Sequence, residues 1–415
     1  MLTSCIALLP LLAPAQDLLL RQGNVLAADG EGWLRDTDVL IHAGRIAAIG
    51  RDLVDADSVE KIDVAGRFVI PGLIDLHSHL LLHPYDEASW NDQVLRESLE
   101  LRTVRGVAAM RATLEAGFTT LRELGTEGAA YADVALREAV REEIVPGPRI
   151  FAATRALVAT GCYGPSGFDP RWDVPKGAQV ADGVDGLRTA VREQVAHGAD
   201  WIKVYADYRR KPGDASTPTY SLEELETIVE EARSAGLEVA SHAVTDEAIR
   251  RSVQAGVATI EHGTNASLET LRSMREHGVV LCPTLAASEA ISRYGGWEVG
   301  DTEPPRVRAS RELIGRALEA GVTIACGSDV GVFPHGDNAR ELELLVRYGL
   351  SPTEALRSAT ETAARVLGKE GELGRIAPNH LADLVVLSAD PLGNPSAVRS
   401  VELVLFEGRL AYQHR

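Results

Sequence analysis

The sequence predicts an α/β protein, a closed (β/α)8 barrel with a small β-sandwich domain built from both chain ends. Three observations predict it. A helix–glycine–strand unit recurs through the middle of the 415-residue chain. Side chains able to bind metal stand at the expected strand ends or just past them. Both termini read as short strands and turns. At this length one large domain with a smaller companion is the natural reading.

The recurring unit is a helix, a glycine that closes it in the left-handed conformation, and a short β-rich run. Gly117, Gly198, Gly236, Gly256, Gly278 and Gly321 mark six instances, as in Ala235-Gly236-Leu237-Glu238-Val239-Ala240. The intervening helices carry start signals: Ser221 with Glu224 forms a capping box, and Thr245 and Ser351, the latter before Pro352, are N-caps. Strands alternating with helices imply parallel pairing through crossovers. Adding Leu73–His77 and Arg149–Ala152 gives eight strands, hence a TIM barrel over residues 71–374.

Residues 16–70 and 375–415 differ from the middle. Asp38-Val39-Leu40-Ile41, Arg45-Ile46-Ala47-Ala48-Ile49 and Leu384-Val385-Val386-Leu387 read as short strands. Neither end is long enough for an independent core, so the two are expected to form one composite β-sandwich; two separate decorations on the barrel are the alternative.

Composition narrows the function. A net charge of −18 argues against nucleic acid, which needs a basic surface. No apolar stretch reaches the ~20 residues of a membrane span. The run Cys5–Leu12 followed by Ala13-Pro14-Ala15 reads as an export signal over residues 1–15, placing the protein in the periplasm or outside the cell. No Lys or Arg precedes it, so a first strand in a cytoplasmic protein is the other reading. Cys162, Cys282 and Cys326 make no disulfide framework, and the last two read as small buried apolar residues.

The polar residues at strand ends carry the chemistry, because a barrel of this kind places its site at the C-terminal rim. His77 and His79 share one side of an extended strand end. His242 and His262 each lie six residues after a repeat glycine, Lys203 five after and Asp329 eight after. Neutral imidazoles suit zinc and similar metals. A lysine inside Trp201-Ile202-Lys203-Val204-Tyr205 is costly to bury charged, so burial lowers its pKa and leaves an amine able to take up carbon dioxide. The carbamate would be an oxygen ligand able to bridge two metals; a lysine bound to a carboxylate is the alternative. Asp75 is expected to orient the histidines, and Glu123 either reaches the rim or pairs with Arg122 or Arg155. His197 and His277 directly precede repeat glycines and are helix-terminal residues. The set implies one or two metal ions at the mouth, the layout of a metal-dependent hydrolase.

Val69-Ile70-Pro71-Gly72-Leu73-Ile74-Asp75-Leu76-His77-Ser78-His79 resembles the first-strand motif of the amidohydrolase superfamily. Ile260-Glu261-His262-Gly263, Gly327-Ser328-Asp329 and the run from Pro334 to Leu342 resemble it too, nearest to the imidazolonepropionase-like group with Xaa-Pro dipeptidases (prolidases) and ochratoxinase-type enzymes. The resemblance runs from about residue 17 to the end. It implies two divalent metal ions, zinc the expected metal, with His77, His79 and Asp329 on one and His242 and His262 on the other. Carboxylated Lys203 would bridge them. Superfamily deaminases and imidazolonepropionase lack such a lysine, which counts against those activities. Two departures leave specificity open: Val244 stands where many relatives have an aromatic residue, and Gly161-Cys162-Tyr163-Gly164 replaces a Gly-Gly-His run.

The expected reaction is attack of a metal-held hydroxide on an amide carbonyl, with Asp329 passing the proton to the leaving nitrogen. The expected substrate is a small amide, a dipeptide of Xaa-Pro type or an N-acyl amino acid; a cyclic amide or lactone is the alternative, and a non-catalytic binding protein on the same barrel the remote one. Arg155, Tyr163, Tyr205, Tyr208, Arg209 and His335 lie on expected rim loops as candidates to hold a substrate carboxylate, and Pro165–Lys176 reads as an active-site loop. The sequence leaves a homo-oligomer open.

Overall fold

The computed structural model describes residues 17–53, 59–169, 171–211 and 213–414; the expected export segment lies outside them. Its fold is mixed α/β. Leu73–Ser78, Phe118–Glu123 and Arg149–Ala152 form one parallel sheet. Leu157–Val158, Trp201–Tyr205, Glu238–Ala243, Thr259–His262 and Val280–Cys282 follow one another in a second, also parallel. The Asp200 N–H donates to the Ala152 carbonyl at 2.7 Å and ties the two sheets together. Parallel bridges Leu281↔Ile324 and Ser78↔Val330 set the segment around 324–330 between the last strand and the first.

That eighth segment makes isolated bridges and not a regular strand. The turn after the helix Pro352–Ser358 takes one of its donors: Cys326 N–H bonds the Ser358 carbonyl, while the Ala325 and Asp329 N–H groups reach the carbonyls of Leu281 and His77. The six repeat glycines all have positive φ, between 68° and 91°. Both capping boxes form, Ser221 with Glu224 and Ser351 with Glu354, and the Thr245 hydroxyl accepts from the Ala248 N–H.

Strands of both chain ends share one sheet. Leu18–Leu26, Trp33–His42, Arg45–Gly50, Glu60–Asp63 and Phe68–Pro71 share an eight-stranded sheet with Leu384–Leu387, Val401–Phe406 and Arg409–Gln413. The seam is the antiparallel pair Phe68–Pro71 with Leu384–Leu387. Hydrogen bonds run through all eight strands. Pro71-Gly72 carries the chain from this sheet into the first parallel strand. A Cβ at Gly72 would sit 2.1 Å from the Thr119 Oγ1, so only glycine allows that approach.

Ile74, Leu76, Trp201, Ala240, Cys282 and Ala325 pack together inside the ring of parallel segments. Cys282 and Cys326 are buried and free, as expected of small apolar residues. Arg122, wholly buried, lies with its guanidinium 4.4 Å from the Trp201 ring centre and donates to Glu261 at 2.9 Å. This buried ion pair forms a charged floor beneath the strand ends.

Candidate metal centre

The C-terminal ends of the parallel strands open on a cavity of about 460 Å³ lined by His77, His79, His242, His262 and Asp329. Lys203 lies buried on the strand Trp201–Tyr205, whose Tyr205 pairs in register with His242. Nitrogens of His77 and His262 and an oxygen of Asp329 lie within 4.8 Å of one another, close enough to share a metal ion. Asp329 Oδ1 stands 3.3 Å from His79 Nε2 and 3.6 Å from His77 Nε2. The His242 and His262 ring centres are 4.5 Å apart.

Three of the four rings are held by one nitrogen, which frees the other. His77 Nδ1 donates to Glu261 Oε2 at 2.7 Å, and His79 Nδ1 to the Gly125 carbonyl at 2.9 Å. His262 Nδ1 lies 2.7 Å from the Thr284 hydroxyl. His242 turns Nε2 toward Asp207 Oδ1, 3.7 Å away, leaving Nδ1 for the centre. A partner on one ring nitrogen fixes the tautomer and aims the other, as in metal-binding histidines generally. Asp75 does not hold a ring: its Oδ1 accepts from the backbone N–H groups of His77 and Ser328, and its Oδ2 from Asn338 at 2.7 Å. The expected orienting role falls instead to Glu261, which sits beside the Arg122 guanidinium.

Electrostatics favour neutral rings. Burial, then the Lys203 charge, holds His77 well below the ordinary histidine value. Burial, then His262 and Lys203, does the same for His242, and burial takes His262 to about 4. His79 goes the other way: burial is outweighed by its bond to Asp329 and the field of Glu127, and its value rises to about 9. Burial opposes ionisation of Asp329 too, yet His77 and His79 hold its carboxyl well below the usual range. Burial brings Lys203 down to about 8.

Lys203 Nζ is buried without a hydrogen-bond partner among the described residues. An orphaned amine among four imidazoles, three of them held neutral, and an ionised carboxylate is a donor set that fits a divalent metal. Asp329 and His262 also have positive φ, 61° and 69°, as do the cavity residues Thr284 and Glu127 at 51° and 50°. Left-handed backbone at non-glycine residues is costly and collects at functional sites.

Tyr163, Tyr205, Tyr208 and Arg209 line the cavity. Arg155 and His335 do not. The Arg155 guanidinium turns toward Glu193, 3.8 Å away, because that helix supplies the nearest carboxylate. His335 is half-buried outside the cavity with Nε2 3.1 Å from the Leu82 carbonyl, and desolvation lowers its pKa to about 4. Glu123 pairs with neither arginine proposed for it; its Oε2 accepts from the Leu80 N–H at 2.7 Å. His197 and His277 cap helix ends away from the site. Residues around Pro165 and Ser166 line a neighbouring hollow of about 320 Å³ that shares Tyr163, Tyr208 and Arg209 with the main cavity.

Four site residues escaped the sequence reading. Glu261 was visible only as part of a motif. Asp207, four positions past Lys203, binds the turn after His242 through the N–H groups of Val244 and Thr245. Glu127 stands four past Glu123. Arg306 opens the helix Pro305–Ala320 and had no signal, since no strand spacing counts to it.

An α/β ring with imidazoles, a carboxylate and a buried amine converging at one mouth defines a candidate metal-dependent protein. Residues 68–411 match the amidohydrolase family, and the chain belongs to it. It is 28% identical to ochratoxinase of Aspergillus niger over 414 residues, covering 91% of this chain and 82% of that one. A crystal structure of a prolidase complexed with N-methylphosphonate-L-proline superposes with TM-score 0.84 at 34% identity, covering 96% of this chain and all of the other. A Xaa-Pro dipeptidase with methionine bound in its active site gives 0.85 at 29%, with the same coverage.

Proposed function

We propose that this protein is a two-metal amidohydrolase that cleaves the amide bond of a small carboxylate-bearing substrate, with Xaa-Pro dipeptides first and N-acyl amino acids of the ochratoxin kind second. The observation that carries the reading is the Lys203 amine, sequestered beside four histidines and Asp329 with no acceptor among the described residues. His77, His79 and Asp329 would hold one ion, His242 and His262 the other, and Lys203 as its carbamate would join both sets. Bound zinc or a similar ion supplies Lewis acidity to the scissile carbonyl and to water.

The chain's own residues do the rest. Glu261, anchored by Arg122, keeps the His77 ring aimed at the mouth. Asp329, against His77 and His79, takes a proton from water at its free oxygen and returns it to the leaving nitrogen. Arg209 and Arg306 line the cavity without an ion-pair partner among the described residues, and Tyr205 and Tyr208 stand beside them. They receive the substrate carboxylate. Support for the substrate class comes from relatives that bind a proline phosphonate and methionine.

The reading includes three further assignments. The parallel segments are a (β/α)8 barrel over 71–374, the two ends fold over one another as a composite β-sandwich over 16–70 and 375–415, and residues 1–15 direct export. The test is hydrolysis of a panel of Xaa-Pro dipeptides and N-acyl amino acids with metal analysis. Turnover should stop with a chelator and return with zinc, and Lys203→Ala should carry well under two metals per chain. Full metal content and full rate in Lys203→Ala would overturn the bridging lysine.

A further inference from the structure

Two carboxylates stand on the cavity wall among the described residues, Asp329 and Glu127. Asp329 belongs to the metal site; Glu127 has no part in it. Its side chain is 2% exposed, yet it faces the cavity. Burying a carboxylate is expensive unless it is paired. Here two neutral donors reach Oε2, the Trp90 indole N–H at 2.7 Å and the Tyr163 hydroxyl. Oε1 accepts no hydrogen bond from any described residue. The nearest candidate, His79 Nδ1, is 3.9 Å away and already donates to Gly125.

No cation of the described chain donates a hydrogen bond to this carboxylate, although His79 stands 3.9 Å from Oε1 and feels its field. Arg102 lies close by, but its guanidinium donates to main-chain carbonyls: to Glu127 at 2.8 Å, to Leu81 at 2.8 and 3.0 Å, and to Thr126 at 3.3 Å. Arg102 thus braces the backbone on which Glu127 holds φ 50°, a conformation costly for a glutamate. The chain holds a buried anion in strained backbone, saturates one oxygen with neutral donors, and leaves the other facing the site.

We propose that Glu127 receives the free α-ammonium group of the substrate, so that the cavity selects a zwitterionic dipeptide over an N-acylated amino acid. The inference rests on the amidohydrolase reading above and decides between its two substrate classes. Geometry supports the placement. In a dipeptide the α-nitrogen is two bonds from the scissile carbonyl carbon, roughly 2.5 Å across from the standard bond lengths. Its partner must therefore stand next to the metal-binding residues, and Glu127 lies one imidazole away from Asp329 across His79. Arg209 and Arg306 line the same cavity and offer cations for the carboxylate; burial, then repulsion from Arg209, lowers the Arg306 pKa. An acylated nitrogen carries no charge and would leave Glu127 uncompensated.

The experiment compares L-alanyl-L-proline with N-acetyl-L-alanyl-L-proline on the zinc-loaded full chain, wild type and Glu127→Gln. The wild type should favour the free amine by about ten-fold or more in kcat/KM, the scale of a hydrogen bond between charged groups. Glu127→Gln should erase that ratio, mainly by raising KM for the free amine, and Glu127→Asp should keep part of it. A merely structural Glu127 would lower both substrates together and leave the ratio intact, which overturns the proposal. So does a wild type that favours the acetylated substrate. Calorimetry with L-methionine and N-acetyl-L-methionine repeats the comparison without turnover; equal binding of both by the wild type also overturns it. Failure to hydrolyse any carboxylate-bearing amide, with L-methionine still preferred in calorimetry, would defeat the hydrolase reading and leave the ammonium site standing.

Discussion

At the base of the ring, Arg149 reaches Asp383 Oδ2 at 2.6 Å and Glu407 Oε1 at 2.7 Å, and the second Asp383 oxygen accepts from the Glu407 N–H. At the mouth, Lys203 Nζ, Asp207 Oδ1 and Glu123 Oε1 are more deeply buried and have no hydrogen-bond partner among the described residues. Both ends bury charge, but only the base completes it. A satisfied cluster at the base joins the first parallel sheet to the terminal one and serves the fold. Unsatisfied atoms at the mouth cost stability, and their retention makes sense where a metal or substrate supplies the missing partner.

The sharpest way to break this comparison is Lys203→Met, which keeps the shape and removes the amine. If the lysine serves function and not folding, turnover should fall by about a thousand-fold, the scale of losing a major electrostatic contact to the reacting centre. The metal-free protein should meanwhile gain about 1–3 kcal/mol, the cost of a buried unsatisfied group. Urea unfolding in chelator measures the second effect, and a destabilised Lys203→Met would sink the contrast.

Asp383→Asn makes the opposite change at the base. It leaves Arg149 partly uncompensated, so stability should drop by about 2–4 kcal/mol, somewhat below the cost of breaking a fully buried pair because Glu407 remains. Turnover per folded molecule should stay within about two-fold, since Asp383 takes no part in the cavity at the strand C-terminal ends. Activity normalised to the folded fraction from circular dichroism checks it.

Glu261→Gln tests the floor that joins the two ends. It weakens the acceptor for His77 Nδ1 and uncouples Arg122. Metal affinity should fall by about 10–100-fold, as when a supporting partner of a ligand is removed. Competition against a chromophoric chelator reads this directly. An unchanged affinity would mean that the ring orientation of His77 does not depend on Glu261.

The sequence is most legible where local rules govern. The repeat glycines, the caps at Ser221, Thr245 and Ser351, and the strand ends bearing His77, His79, Lys203, His242, His262 and Asp329 all follow from spacing within one helix or strand. Legibility failed where placement depends on partners far along the chain. The last parallel segment reads as a strand, but the Ser358 carbonyl, more than 30 residues away, takes its Cys326 N–H. Arg155 and His335 fall on rim loops by counting, yet a glutamate on the next helix and a carbonyl of the first loop claim them. Glu127 enters the cavity from a loop and Arg306 from the first turn of the helix Pro305–Ala320, and no strand periodicity encodes either. Asp75 was rightly marked as a supporting residue but assigned the wrong target, because strand phase says which way a side chain points and not what waits there.

The smallest expected effect concerns the tether between ring and terminal sheet, where the comparison can be sharpened by pH. Glu343, on the helix Ala339–Arg347, accepts from Arg399 Nε at 2.7 Å and from Arg340 Nη1 at 3.0 Å. Burial alone would raise its pKa, but the two guanidiniums outweigh burial and bring it to about 2. A value lower in the folded than in the unfolded chain means that the ionised form favours folding. The contribution is therefore complete above the ordinary glutamate value near 4.5 and disappears as pH falls toward 2. Solvent screening reduces it to about 1–2 kcal/mol. Glu341, two residues away, has the opposite sign: burial raises it to about 8 against the Ala286 and Leu285 N–H donors, so its contribution fades as pH rises through 8. The two windows do not overlap. Urea midpoints between pH 3 and 6 should converge for wild type and Glu343→Gln at the acid end and separate toward pH 6. A constant gap across that range would show that Glu343 holds the helix by shape and not by charge, and the tether would then resemble neither end of the ring.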